Sequence, residues 1–299
     1  MIDYLVIGHI CADRQPDGST RLGGTGLFSS LTAHRLGLRT AVITACADDF
    51  DLSMLPSDLL VVRQSSPVTT VFENRYLETG RVQTVHARAR SIELGTGAAG
   101  AGAGGAGAAG ARAGAAGAAG ALPAGWEKAA IVHLAPIIQE VPKDGCKLFE
   151  GALVGATPQG WLRTIHPSKS VTTDPKTLLE LPWVGREIVV LSEEDVQHDE
   201  PLVRKLAAML PLVVFTRAER GATVFVSGRP TDVPAYPAHV VDPTGAGDVF
   251  AAAFFAALKQ DGDPIHAARW ACAAASCSLE GFGIEALPTP DDVRRRMGS

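Results

Sequence analysis

The chain has 299 residues, 27 of them Lys or Arg and 32 Asp or Glu, for a net charge of −5, and 46% are hydrophobic. That is the composition of an ordinary soluble globular protein with one large domain or two small ones. The mild negative balance argues against nucleic acid or an acidic membrane surface as the main partner, and no apolar run approaches the length of a membrane span.

The five cysteines, Cys11, Cys46, Cys146, Cys272 and Cys277, are odd in number, scattered and without a CxxC pair. They indicate neither a zinc site nor a disulfide framework, and point to reduced thiols in a cytoplasmic protein. The N-terminus shows no basic region followed by a long apolar one.

Residues 3–8 read as a short buried strand ended by Gly8, with His9 to Asp13 as a loop at its C-terminal end. Ligands of open α/β sheets bind at that end. Asp13 is placed there to hydrogen-bond a substrate hydroxyl, or simply to close an Asx turn. Gly23 and Gly24 precede a helix from about Leu27 to Leu36, and paired glycines let a ligand come close to the backbone. Arg39 to Ala45 is the next strand, followed by Asp48 and Asp49 in a turn.

Thr69 to Tyr76 and Arg81 to Arg88 are β-prone runs joined through Glu78-Thr79-Gly80, a hairpin signal. Arg75, Arg88 and Arg90 either stay solvated on it or meet a phosphate. Residues 97–121 are Gly and Ala apart from Arg112. Such a tract cannot build a packed core and reads as a flexible insertion in a surface loop.

Continuous apolar runs at 130–135, 152–156, 188–191 and 212–216 suit parallel strands buried on both faces. Leu202, Leu206 and Leu210 share one face of a helix between the last two. The alternation predicts a doubly wound α/β fold, a mostly parallel sheet flanked by helices. Gln159 and Arg163 follow the run at 152–156, where they either contact a polyol or phosphate or belong to a turn anchored by Trp161 and Leu162.

His239-Val240-Val241 is a strand-like run that passes into Asp242-Pro243-Thr244-Gly245-Ala246-Gly247-Asp248 and then a helix with Phe250, Phe254 and Leu258 at spacing four. The N–H groups of Gly245, Ala246 and Gly247 have little side chain in their way, at a helix start that attracts anions. Asp248 lies in the same first turn. An anion cradle beside a potential general base suits phosphoryl transfer to a hydroxyl. The competing reading is a tight connection with an Asp that suits the helix dipole. A last helix, Pro264 to about Glu280, is rich in Ala, Cys and Ser and broken by Phe282-Gly283; His266 reads as a surface residue on it.

The whole string at 239–258 resembles the C-terminal signature of the ribokinase-like (PfkB) family of carbohydrate kinases, departing at Pro243, where many members carry a second Thr. The resemblance covers nearly the whole chain apart from the Gly/Ala tract, and implies one ribokinase-like domain over 1–299 with a small β lid within about 67–90. It implies that Asp248 takes the substrate proton and that the amides of Gly245, Ala246 and Gly247 stabilise the transferring group. Asp13, Gly23 and Gly24 fall where the family lines its sugar pocket. Phe28 stands where many sugar kinases have an Asn, and the Gly-Gly-x-x-x-Phe pattern looks more like inositol kinases. Ser192 and Asp195 occupy the spacing of an Asn-x-x-Glu motif tied to magnesium and phosphate. Thr216, Arg217 and Gly221 fall in a glycine motif that shapes the nucleotide site, where Arg217 either faces phosphate or points to solvent. Asp242 and Thr244 resemble positions of a monovalent-cation site, such as one for K⁺. The adenine would lie beside the last helix. Members are often dimers joined through their lids, which leaves a homodimer open.

The expected activity is therefore an ATP- and Mg²⁺-dependent kinase acting on a sugar or cyclic polyol, with myo-inositol first and a furanose or nucleoside as the alternative. A non-catalytic nucleotide- or sugar-binding regulator with the same fold stands second. A dinucleotide-dependent oxidoreductase stands last, because Gly8-His9-Ile10-Cys11 does not supply GxGxxG after the first strand.

Overall fold

The computed structural model describes residues 1–77, 80–95 and 122–298. The Gly/Ala tract at 97–121 and residues 78–79 of the hairpin turn lie outside the described residues.

Apolar, β-branched runs form the frame. β1 (Tyr4–Ile7) is wholly buried and leads into a hairpin of β2 (Cys11–Arg14) and β3 (Thr20–Gly23). α1 (Thr25–Arg35) returns the chain to β4 (Thr40–Cys46) and β5 (Leu60–Ser65). A second hairpin, β6 (Val71–Leu77) and β7 (Gly80–Ala87), precedes β8 (Ile131–Leu134) and β9 (Leu153–Ala156). β10 (Arg163–Ile165) and β11 (Val171–Thr173) pair as a short ribbon. Then come β12 (Ile188–Ser192), α2 (Glu200–Met209), β13 (Leu212–Thr216), β14 (Ala222–Val226) and β15 (Arg229–Val233). α3 (Ala246–Asp261), α4 (Pro264–Ser278) and α5 (Pro290–Met297) follow.

Nine strands form the main sheet in the order β15-β14-β13-β12-β9-β8-β1-β4-β5. Those from β13 to β5 run parallel, and β14 and β15 add an antiparallel edge. Chain order runs outward in both directions from the β1–β8 pair. The loops leaving these two strands therefore part and open a crevice at the C-terminal edge.

Successive residues of β1 serve opposite faces. Tyr4 and Val6 pack with Phe28, Leu31, Phe254 and Ala271 from α1, α3 and α4. Leu5 and Ile7 pack on the other side with Val132, Trp161 and the α2 residues Leu202 and Leu206. This is the doubly wound sheet that the apolar runs predict. α3 packs on it through Phe255. A Cβ on Gly155 in β9 would come within 2.4 Å of the Phe255 ring, so glycine is what admits that ring. Phe255 then meets His133 of β8 edge-on at 5.0 Å.

Two expectations are corrected. His9 to Asp13 is not all loop, because Cys11–Arg14 pairs antiparallel with β3 and parallel with β6. The small sheet thus has the order β3-β2-β6-β7, and only β6 and β7 fall within 67–90. His239–Val241 is not a strand. Val240 is 57% exposed. The Val241 N–H donates to the Leu279 carbonyl (2.7 Å) beyond α4, so the run is tied to a helix end instead of a sheet.

Candidate active site

Helix starts separate into two kinds. α2, α4 and α5 begin on Asp199, Asp263 and Thr289, whose side chains accept from N–H groups of the first turn. α1 and α3 begin on Gly24 and Gly245, with no side-chain cap. These two bare N-termini lie side by side at the crevice: the Ser29 hydroxyl donates to the Asp248 carbonyl (3.4 Å), and Phe28 lies against Gly245.

Each of these glycines is required. Gly24 has φ 93°, and a Cβ there would sit 2.7 Å from the His9 carbonyl oxygen. Gly245 has φ 79°, and its Cβ would enter the Phe28 ring at 2.4 Å. Phe28 is only 3% exposed, so its ring supports the turn from beneath. The Ala246 N–H already donates to the Pro243 carbonyl (3.3 Å). The N–H groups of Gly245 and Gly247 have no acceptor among the described residues, and a Cβ on Gly247 would meet open space. The cradle is therefore open where a ligand would enter. Asp248 stands half-buried in the first turn of α3.

Across the crevice, Asp13 of β2 lies against Gly23 of β3: a Cβ on Gly23 would fall 2.0 Å from the Asp13 Oδ2. Arg163 donates to the Ile137 carbonyl (2.8 Å) and to the Gln159 Oε1 (3.0 Å), and its guanidinium lies 6.0 Å from the Phe72 ring of β6. The Gln159 amide donates in turn to the Thr25 hydroxyl (3.0 Å) at the start of α1. Burial pushes the Cys11 thiol well above its usual range; Asp13, Glu140 and Asp248 push the same way, and Arg163 opposes them. Three acidic groups and one guanidinium from separate elements thus converge around one buried cysteine.

Sequence reasoning missed the groups that fix this arrangement. Glu140 is fully buried, and its carboxylate accepts from the N–H groups of Ile137 (2.8 Å), Ile138 (2.7 Å) and His9 (3.2 Å). It fastens the loop after β8 to the loop after β1. His9 donates through Nε2 to the Arg90 carbonyl (3.0 Å), so its Nδ1 accepts from the Thr70 hydroxyl (3.0 Å). Thr70 also accepts from the Ala89 N–H (3.0 Å), which ties both stems of the second hairpin to one ring. Burial holds the His9 pKa down, against the charge of Glu140 and the Arg90 carbonyl. A lone charge in the mostly apolar Pro-Ile-Ile-Gln-Glu-Val run was the one available signal.

The remaining candidates lie further along the sheet edge. The Thr216 hydroxyl donates to the Leu191 carbonyl (3.4 Å). Arg217 does not project to solvent; it packs over Phe215 at 5.2 Å and reaches Glu200 at 3.6 Å. Gly221 has φ 85°, and a Cβ there would lie 2.1 Å from the Val233 carbonyl oxygen. Asp195 accepts from both the N–H and the hydroxyl of Ser192 (2.8 Å each). Asp242 accepts from the N–H groups of Thr244 (2.9 Å) and Gly283 (3.2 Å). Among the described residues, no three His, Cys, Asp or Glu side chains cluster as a metal cage. The Asp195 and Asp242 carboxylates are oxygen donors of the kind that a hard cation such as Mg²⁺ takes.

Residues 180–291 match the model of the pfkB family carbohydrate kinases. That segment is similar to the pfkB family carbohydrate kinases. Within it lie α3 with its bare N-terminus, Thr216 and Gly221. Two curated relatives share its sequence in part. "Probable fructokinase-5" of Arabidopsis thaliana is 32% identical over 122 residues, 38% of this chain and 37% of the relative. The ribokinase of Bacillus subtilis is 34% identical over 107 residues, 35% of this chain and 36% of the relative. The chain thus spans little more than a third of the length of these two. The fold likeness covers nearly the whole chain. A pyrophosphate-dependent kinase of the ribokinase family, solved with a pyrophosphate analog and myo-inositol, superposes with a TM-score of 0.68 at 21% identity, covering 95% of this chain and 98% of that one. The matched segment therefore sits in a ribokinase-like fold that takes in β1 to β9 as well.

Proposed function

We propose that the protein is a small-molecule kinase that transfers the γ-phosphate of ATP to a hydroxyl of a sugar or cyclic polyol. The observation that carries this reading is the pair of uncapped helix N-termini at the crevice, with Asp248 in the first turn of one of them. An unsatisfied helix start favours anions, and a carboxylate beside it can accept a proton.

Asp248 orients the acceptor hydroxyl and takes its proton as the oxygen attacks the terminal phosphorus in line, and the bond from that phosphorus to the β–γ bridging oxygen breaks to release ADP. The N–H groups of Gly245 and Gly247, with the dipole of α3, hold the charge that develops on the phosphoryl oxygens; Ala246 contributes chiefly by closing the turn. Asp13, Gly23, Gly24, Gln159 and Arg163 hold the acceptor on the other wall. The small sheet β3-β2-β6-β7 acts as the lid, and a homodimer would form through it. Phe28 offers no polar atom and stays on Gly245, which favours a cyclic polyol such as myo-inositol over an acceptor that needs an amide contact there.

Thr216, Gly221 and Thr244 line the nucleotide side, and the exposed Val240, Val241 and Phe282 beside α4 offer apolar surface for a base. Mg²⁺ bound to the phosphates would neutralise their charge, with Asp195 reaching it through water. Asp242 and Thr244 would help seat a monovalent cation. The proposed setting is the cytoplasm; no helix among the described residues is long and apolar enough to cross a membrane.

The test is phosphate transfer by purified protein with Mg²⁺ and K⁺, ATP or pyrophosphate as donor, and inositols, hexoses, ribose and nucleosides as acceptors. One acceptor that drives turnover supports the reading, and the phosphorylated position names the reaction. Binding of ATP or a polyol with no turnover on any acceptor would favour the regulator instead.

A further inference from the structure

A buried chain of polar groups runs through the sheet to the crevice and plays no part in the mechanism above. The Tyr4 hydroxyl lies 3.1 Å from the His133 Nδ1, and the His133 Nε2 lies 3.0 Å from the Thr157 hydroxyl. Tyr4 and His133 are fully buried; Thr157, at the C-terminal exit of β9, is 8% exposed.

Hydrogen-bond accounting fixes the direction of the chain. The imidazole is neutral, because burial pushes its pKa down to about 3. One ring nitrogen therefore carries a proton and the other accepts. If Nδ1 carried it, the Tyr4 oxygen would accept, and the phenolic proton would be buried with no acceptor among the described residues. An orphaned buried donor costs about 1–3 kcal/mol. The alternative leaves no orphan. Tyr4 donates to Nδ1, Nε2–H donates to Thr157, and the Thr157 oxygen is occupied as an acceptor. The Thr157 proton then has no acceptor among the described residues and is left for a ligand.

We propose that Tyr4 and His133 are positioning residues that hold the Thr157 hydroxyl as a donor toward a phosphate oxygen of the phosphoryl donor. The inference rests on the kinase reading for the identity of that ligand. The His133 side of the sheet is the side covered by α3, whose Phe255 meets the ring edge-on, and Thr157 follows the C-terminal end of β9 two residues before Gln159, whose amide reaches Thr25 at the bare start of α1. A phosphate oxygen only accepts, which matches a hydroxyl that can only donate; a polyol hydroxyl offers both roles and would gain less from such a fixed partner.

The test combines kinetics with the protonation of one ring. Thr157→Val keeps the shape and removes the donor. It should raise the KM for the phosphate donor by roughly tenfold or more and leave the KM of the acceptor unchanged; the melting temperature should fall because the His133 Nε2–H loses its acceptor, and Thr157→Ser should rescue both. Nitrogen-15 NMR of His133 in the intact protein should show the neutral Nε2–H form. An Nδ1–H form would overturn the proposal, because Thr157 would then give its proton to the ring. An unchanged donor KM in Thr157→Val would overturn it too. Should the wild type transfer phosphate to no acceptor, the kinase reading fails by itself. The ring tautomer, and weaker binding of inorganic phosphate by Thr157→Val, would still decide the inference.

Discussion

Gly245 shows how much of the site depends on single residues. Its left-handed backbone and its contact with Phe28 leave no room for a side chain. Gly245→Ala should therefore cost about 1–3 kcal/mol through backbone strain and overpacking, measured by urea unfolding, and should slow turnover as the cradle distorts. Glu140 is the other keystone. Glu140→Ala strips three backbone N–H groups of their acceptor and should cost about 3 kcal/mol or more, whereas Glu140→Gln keeps an acceptor oxygen and should cost less. The two residues were not equally legible. Gly245 and Asp248 belong to a local string whose turn and helix can be read from neighbours. Glu140 acts on His9, 131 positions away, and no local pattern announces such a bond. Arg217 was half-legible: its charge could be read, but not the Phe215 face that it covers.

At the scale of elements, α3 carries the site and is seated on the sheet through Phe255. Gly155→Ala would drive a Cβ into the Phe255 ring and lift the helix. The expected cost is about 1–3 kcal/mol in unfolding, with turnover reduced although Gly155 touches no ligand. Gly155→Ala combined with Phe255→Leu should recover part of both losses. The parallel core strands were legible because each is a continuous apolar run that has to be buried on both faces. β2 and β3 were not, because they are four residues each and part-exposed, and Ala-Asp-Arg carries no apolar alternation. His239-Val240-Val241 failed in the opposite way: it has the composition of a strand, but its backbone bonds to the end of α4.

The whole molecule joins these elements at one topological switch, and its stability should report the buried imidazoles there. His133 is pushed from 6.5 to about 3 by burial, and His9 is lowered for the same reason. Across that window the unfolded chain binds protons that the folded chain refuses. The contribution of His133 is therefore complete above the ordinary imidazole value and is lost as pH falls toward 3, at about 1.4 kcal/mol per pH unit. Urea unfolding at pH 7, 5.5 and 4.5 should show this loss, and His133→Gln should flatten it. The central claim, that α3 presents a general base to an acceptor hydroxyl, is tested most directly by Asp248→Asn. That change keeps the size of the side chain and its place in the first turn. Steady-state kinetics with the best acceptor should show kcat reduced by about 10²–10⁴, with both KM values and the melting temperature little changed. Turnover equal to that of the wild type would contradict the claim.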